Sequence, residues 1–192
     1  MTETKERFYR VLLEKYAGII NQNEQRTVGE IKALVDPMDP GVQGLLQEFK
    51  PTPYTFERDY LFTAQQVFEH ITQEIKYVPN DLTINFWLKP HEILANKVAD
   101  DEDLAVLVCT VLHALGDENA MVVLMELENL TTHAVVLTTV NGKTLLLDPC
   151  TGHNFFKYHG EKSHVFKRYH FNGQRIKRAL YRFNAQMYEQ FI

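Results

Sequence analysis

Residues 132–150 read THAVVLTTVNGKTLLLDPC, and this stretch decides the fold. Two apolar runs flank Asn141-Gly142, a dipeptide that strongly indicates a two-residue type I′ hairpin turn. Such a turn fixes the register of the two strands, so His133 is predicted to lie opposite Cys150. Because side chains alternate between the faces of a strand, His133, Asp148 and Cys150 are predicted to share one face of the sheet.

The other face of the same hairpin is predicted to be core, since it carries Ala134, Val136, Leu145 and Leu147. On the first face, His133 and Asp148 are diagonal neighbours, ~7 Å apart between backbone positions and within side-chain reach. A histidine beside a carboxylate is what a general base and its orienting group require. A lone histidine near a strand end is, however, more often an ordinary surface residue or a core residue with its hydrogen bonds satisfied.

The chain before this hairpin has helical periodicity, and the chain after it has strand character. Residues 100–115 form the clearest predicted helix, which ends at Gly116. A second helix is predicted over 60–77, and a short one begins at Pro90. Strands are predicted at 120–127, 133–140 and 143–147, and weaker strand patterns occur at 155–158, 165–171 and 175–181, the last of which could equally be helix. The predicted fold class is α+β, with an antiparallel sheet packed on the helix 100–115.

The segment 1–53 is predicted to be an N-terminal helical arm. Helical patterns occupy 1–22, 26–35 and 42–49, and Pro51 and Pro53 then interrupt the chain. Residues 54–192 are predicted to form the main domain.

Composition excludes several classes of protein. The chain has 192 residues, of which 45% are hydrophobic and 23% charged, with a formal net charge of −5. This balance excludes a disordered tail, and the acidic charge argues against nucleic acid or an anionic membrane as the main partner. The longest apolar run, 105–111, is too short to span a bilayer, and the polar N-terminus shows no signal peptide. Two cysteines favour a reducing, cytoplasmic location over a disulfide scaffold.

Five segments together resemble the transglutaminase-like superfamily, whose fold is papain-like. They are Pro90-His91-Glu92-Ile93-Leu94, Ala99-Asp100-Asp101-Glu102-Asp103-Leu104-Ala105, Leu112-His113-Ala114-Leu115-Gly116, His133-Ala134-Val135-Val136 and Asp148-Pro149-Cys150. The resemblance covers roughly residues 60–152. It implies a catalytic triad whose nucleophilic cysteine position is occupied by Asp101, with His133 and Asp148 as the other two members. At the start of the helix, Asp100 and Asp101 are also ordinary capping residues.

A narrower resemblance accounts for the missing cysteine. Arg26–Ile31, Leu34–Pro37, Asp59–Leu61 and Asp148–His153 resemble the transglutaminase-like domains of ciliary transition-zone and centriolar proteins that also carry C2 domains. In that branch the cysteine is replaced, often by an acidic residue, and the domain is inferred to be inactive. The resemblance implies a binding or scaffold role, in the cytoplasm at the cilium basal body or transition zone.

Three functional hypotheses follow from these residues. The first is a non-catalytic module whose papain-like cleft binds an extended peptide or a partner protein. The second is an active transglutaminase-like cysteine peptidase or acyltransferase that uses Cys150 with His133 and Asp148. The third is a structural module whose cleft is closed by Trp87 or by the arm. The other cysteine, Cys109, is predicted to be a core residue.

No cofactor is predicted, because the sequence contains no Gly-rich phosphate loop. The spacing of the late histidines does not match a zinc motif; they are His153, His159, His164 and His170. A two-carboxylate, one-histidine metal site at Asp101, His133 and Asp148 is a less favoured alternative.

The predicted binding residues are Trp87, Cys150, Arg168, Lys177 and Arg178. The last three belong to the basic segment 157–182, whose eight cations and one acid give it a formal charge of +7 and leave −12 for the remainder. This polarity favours an acidic partner such as a tubulin tail. The sequence does not indicate the partner's identity or the oligomeric state.

Overall fold

The computed structural model describes residues 3–79, 84 and 86–191. The helices are α1 Glu3–Asn23, α2 Val28–Lys32, α3 Pro40–Phe49, α4 Phe56–Glu74, α5 Pro90–Asn96, α6 Asp101–Ala114 and α7 Lys162–Arg168. The strands are β1 Lys76–Tyr77, β2 Val98–Ala99, β3 Met121–Leu127, β4 Thr132–Val140, β5 Lys143–Leu147, β6 Tyr158–Gly160, β7 His170–Phe171, β8 Gln174–Phe183 and β9 Tyr188–Gln190. Among the described residues, no helix combines the length and apolar character needed to cross a lipid bilayer.

The main sheet is antiparallel and has the strand order β6-β5-β4-β3-β8-β7, with β9 also paired to β8. β1 and β2 form a separate parallel pair. Helices precede this sheet, and α6 packs against β4 and β3. The predicted α+β class is therefore confirmed.

The β4–β5 hairpin has the predicted register. Val136 pairs with Leu147 and Val140 with Lys143, and Asn141 and Gly142 both have positive φ, 50° and 75°, as a type I′ turn requires. The predicted core face is also confirmed, because Ala134, Val136, Leu145 and Leu147 are all buried in the cluster around α6.

The ladder ends at the pair Val136–Leu147, three pairs before the predicted pair His133–Cys150. β5 stops at Leu147, and residues Pro149–Thr151 form a turn of 3-10 helix. Proline has no N–H for a strand ladder, so Cys150 does not pair with His133, and that prediction is wrong. His133 instead pairs with Met125 of β3.

Helix α6 lies in the centre of the molecule. Every residue from Asp103 to His113 is buried, as expected for a helix that is apolar on all sides. Asp100 is its N-cap, and the carboxylate of Asp100 accepts a hydrogen bond from the backbone N–H of Asp103 at 3.0 Å. This cap fixes where the helix begins and therefore fixes the position of Asp101.

Two weak strand predictions fail in the C-terminal third. Residues 165–168 belong to α7, and only the last two residues of the predicted strand 165–171 form β7. In the predicted strand 155–158, only Tyr158 begins a strand. Short apolar runs fit a helix or a strand equally well, and in α7 the buried residue is Val165. The third weak pattern, 175–181, is strand β8 as predicted. The sequence also predicts a loop over 79–85, most of which lies outside the described residues.

The division of the chain at residue 53 stays a prediction. Most of α1 is exposed, whereas α3 contributes Val42, Leu45 and Leu46 to the core cluster that contains α6. A Cβ on Gly41 would lie 2.8 Å from the Cα of His91, so α3 approaches α5 too closely for any side chain there. This packing favours a shorter arm than residues 1–53.

Candidate functional site

The start of α6 and the start of β4 bring Asp101 and His133 together. Asp101 Oδ2 lies 3.0 Å from His133 Nδ1. The same oxygen accepts a hydrogen bond from the backbone N–H of Ala134 at 2.9 Å. The prediction that Asp101 faces the His133 ring from a helix N-terminus is confirmed.

Asp148 approaches the other side of the imidazole from the end of β5. Its Oδ1 lies 3.4 Å from His133 Nε2 and accepts a hydrogen bond from the backbone N–H of Cys150 at 3.0 Å. Its Oδ2 accepts a hydrogen bond from the hydroxyl of Tyr169 at 2.8 Å. We call Asp101, His133 and Asp148 the acid–imidazole cluster. His133 and Asp148 are each 1% exposed, so water hardly reaches it.

The electrostatics of the cluster favour a charged imidazole. Burial alone would lower the pKa of His133, but its contacts with Asp101 and Asp148 and their negative charges raise that pKa to about 9. Burial would raise the pKa of Asp148, but His133 and the hydrogen bonds from Tyr169 and Cys150 hold it below its usual range. An imidazolium between two carboxylates has no free lone pair with which to act as a general base.

An aromatic ring covers the imidazole. Phe171 stacks on His133 with ring centroids 3.7 Å apart and an interplanar angle of 12°. Phe171 lies in the β7–β8 hairpin, whose turn residues Asn172 and Gly173 have positive φ of 49° and 77°. Sequence reasoning missed both Phe171 and Tyr169 as site residues. The dipeptide Asn172-Gly173 could have located this hairpin, as Asn141-Gly142 located the other.

Cys150 is half-buried and lies beside the cluster. Ligand atoms of His133, Asp148 and Cys150 all lie within 4.8 Å of one another, so the three side chains are close together as predicted, although Asp148 and Cys150 follow β5 and are not part of the sheet. Burial raises the pKa of the Cys150 thiol, and the negative charges of Asp148 and Asp101 raise it further. A thiol in such surroundings is a weak nucleophile. Cys109 is fully buried in the core, as predicted, and burial raises the pKa of its thiol too.

The remaining predicted binding residues lie in two different settings. Trp87 is buried, with its ring 5.9 Å from that of Phe183. Lys177 and Arg178 extend from β8 into solvent, 47% and 57% exposed, and contact Glu126 at 2.9 and 3.0 Å. Arg168 donates to the backbone carbonyl of Lys157. The binding role of all these residues stays a prediction.

Comparison with known proteins gives a family and a fold. Residues 85–179 match the family model of the CEP76 peptidase-like domain. No curated protein sequence matches the chain significantly. Legionella pneumophila LapG treated with EGTA is 17% identical with a TM-score of 0.54, and the match covers 95% of this chain and 86% of LapG. For calcium-bound LapG the identity is 17% and the TM-score 0.55, with 86% of this chain and 88% of LapG covered.

The family model contains Asp101, His133 and Asp148 within its matched range, and the likeness to LapG extends the shared fold over most of the chain. Residues 85–179 therefore resemble a CEP76 peptidase-like domain, and the chain has the fold of LapG.

Proposed function

We propose that this protein is a catalytically inactive transglutaminase-like module that binds an acidic, extended protein segment. The observation that carries the proposal is the placement of Asp101. At the N-terminus of α6, where the resemblance puts a nucleophilic cysteine, a carboxylate lies 3.0 Å from His133 Nδ1.

A carboxylate in this position supplies the charge of a thiolate without its chemistry. The helix N-terminus and a neighbouring imidazolium stabilise either anion. A carboxylate, however, is a poor nucleophile toward an amide. The stack of Phe171 on His133 further supports inactivity, because it covers a face of the ring that a substrate would approach.

The binding part of the proposal rests on charge. The basic segment 157–182 carries +7 in a chain of net charge −5. Lys177 and Arg178 share one carboxylate, that of Glu126, so positive charge remains in excess at that point. Such an excess attracts an acidic segment and speeds its association. We place this role at the cilium base, as the sequence resemblance implies, and a tubulin tail has the required chemistry.

Charge reversal tests the binding role. The triple variant Arg168→Glu, Lys177→Glu, Arg178→Glu is expected to bind a fluorescent polyglutamate peptide about tenfold more weakly at low salt, with a shallower salt dependence. The matched control reverses Lys15, Lys76 and Lys143, which are exposed and lie outside the segment. It changes the net charge by the same amount and should bind like the wild type. Equal losses in both triples would show that only net charge matters and would refute the assigned site.

A second candidate function is hydrolysis or acyl transfer by Cys150, favoured by the proximity of its thiol to His133 and Asp148. It would require the imidazole to take the proton of a thiol whose pKa is raised by burial and by two nearby carboxylates. Peptide cleavage that is lost in Cys150→Ser and kept in Cys109→Ala would establish this candidate in place of the first.

A further inference from the structure

Three different metal-ligand atoms lie close together in His133, Asp148 and Cys150: an imidazole nitrogen, a carboxylate oxygen and a sulfur. All three lie within 4.8 Å of one another. We propose that these residues bind one divalent ion of the zinc type. The proposal goes beyond the binding function above, and neither depends on the other.

The strongest sign of a ligand is a nitrogen without a hydrogen bond. His133 is 1% exposed, and its Nε2 forms no hydrogen bond with any residue that the structure describes. A buried nitrogen without a hydrogen bond is costly and calls for an explanation. Nε2 lies 3.4 Å from Asp148 Oδ1, close to the ~3.3 Å edge of a tetrahedron whose ligand atoms lie ~2.0 Å from zinc. The two atoms are thus already spaced as two ligands of one ion.

The other ring nitrogen has the partner that a metal-binding histidine usually has. His133 Nδ1 lies 3.0 Å from Asp101 Oδ2. A histidine that binds metal through one nitrogen commonly donates its other N–H to a carboxylate, which orients the ring and increases its basicity. The hydrogen bond from Tyr169 to Asp148 Oδ2 orients the second ligand in the same way, and Phe171 shields the site from water.

The sulfur of Cys150 indicates which class of metal the site would bind. A thiolate with an imidazole suits zinc or cobalt, whereas calcium and magnesium prefer sites made of oxygen alone. Three protein ligands leave a fourth position for water. Because Cys150 is half-buried, the ion has a route from solvent on its side of the site.

Binding exchanges two protons for one ion. The ring gives up the proton on Nε2, the thiol gives up its proton, and both protons go to solvent, while Nε2, the sulfur and the Asp148 carboxylate each form a bond to the metal. The site keeps the same total charge, because the two charges of the ion replace those of the two protons. Metal and proton therefore compete for Nε2.

Cobalt is the probe that tests this site, since a cobalt–thiolate bond has a charge-transfer band in the near ultraviolet. The chain 1–192, stripped with a chelator, is titrated with Co²⁺, and excess Zn²⁺ is then added. We expect one Co²⁺ per chain, the thiolate band, and loss of that band on adding Zn²⁺. Cys150→Ser should abolish the band, Cys109→Ala should keep it, and Asp101→Asn should weaken affinity about 10–100-fold while retaining all three ligands.

Two results would overturn the proposal. One is a wild-type protein without the thiolate band, and the other is a band that persists in Cys150→Ser. If Cys150→Ser does not fold, alkylation of the wild type decides the matter by mass spectrometry. Zn²⁺ should then protect Cys150 from iodoacetamide, and equal labelling with and without Zn²⁺ would refute the site.

Discussion

The acid–imidazole cluster and the surface of β8 both hold cations beside carboxylates, but in opposite environments. His133 is buried between Asp101 and Asp148, whereas Lys177 and Arg178 extend into solvent beside Glu126. A buried charge is stable only beside its ion-pair partners, because water cannot reach it to take their place. Exposed pairs contribute little because water and salt screen them. The buried contacts therefore fix the geometry of the acid–imidazole cluster, whereas the exposed side chains of β8 remain free to contact other molecules.

The largest expected difference between the two regions is in stability. Asp148→Ala should lower the free energy of unfolding by about 3–5 kcal/mol, because it removes one of the two carboxylates that balance the buried charge of His133 and leaves the Tyr169 hydroxyl without its hydrogen bond. Glu126→Ala on β3 should lower the free energy of unfolding far less, because water and salt screen its pairs with Lys177 and Arg178. Urea denaturation measures both. Similar losses for the two variants would contradict the contrast.

A cysteine restored at position 101 should convert the cluster into a reactive site. In Asp101→Cys the thiol would lie at a helix N-terminus beside His133, an environment that lowers thiol pKa to about 3.5–7.5. We expect it to react with iodoacetamide at pH 6 at least ~10-fold faster than Cys150 does in the wild type. Mass spectrometry after a timed exposure gives both rates. A slow thiol at position 101 would mean that the helix terminus and imidazole do not act together there.

The pH dependence of stability tests the acidic start of α6. Burial raises the pKa of Asp103 to about 8, and the charge of Asp100 adds to that rise. The folded protein therefore holds a proton that the unfolded chain loses near pH 4, so this group makes stability fall as pH rises from about 4 to about 8. The slope is at most about 1.4 kcal/mol per pH unit.

Asp103→Asn should flatten this slope, because an amide does not ionise and still accepts the hydrogen bond from the backbone N–H of Leu88. The control Glu128→Gln changes an exposed acid and should leave the slope as it is. Unfolding midpoints in urea from pH 4 to pH 9 provide the comparison. An unchanged slope in Asp103→Asn would remove Asp103 as its source.

The smallest effect belongs to the surface. Glu126→Gln removes the carboxylate that Lys177 and Arg178 share, and it should change the free energy of unfolding very little because these pairs are screened by solvent. It should also strengthen binding of polyglutamate, since two cations become free. Fluorescence anisotropy at low salt measures the change, and weaker binding would show that Glu126 orients the two cations for the partner.

The sequence predicted the three residues of the acid–imidazole cluster, whose positions follow from a turn rule and from the family resemblance. The turn at Asn141-Gly142 set the register that places His133 beside Asp148, and the family resemblance placed Asp101 at the start of α6. Tyr169 and Phe171 escaped prediction because α7 and β7 come from short apolar runs that have no clear periodicity. The pairing of Lys177 and Arg178 with Glu126 depends on the β3–β8 register, which contains shifts between Leu124 and Met125 and between Glu126 and Leu127. No turn rule predicts such shifts.

Catalytic turnover tests most directly whether the cluster has lost its chemistry. Wild type and Cys150→Ser are incubated with a fluorogenic peptide library and with a glutamine peptide plus an amine, and intact mass reports any acyl adduct on the protein. We expect no cleavage, no crosslinking and no adduct from either protein. Turnover by the wild type that disappears in Cys150→Ser, with an acyl adduct on Cys150, would contradict the inactive module and establish a cysteine-dependent enzyme.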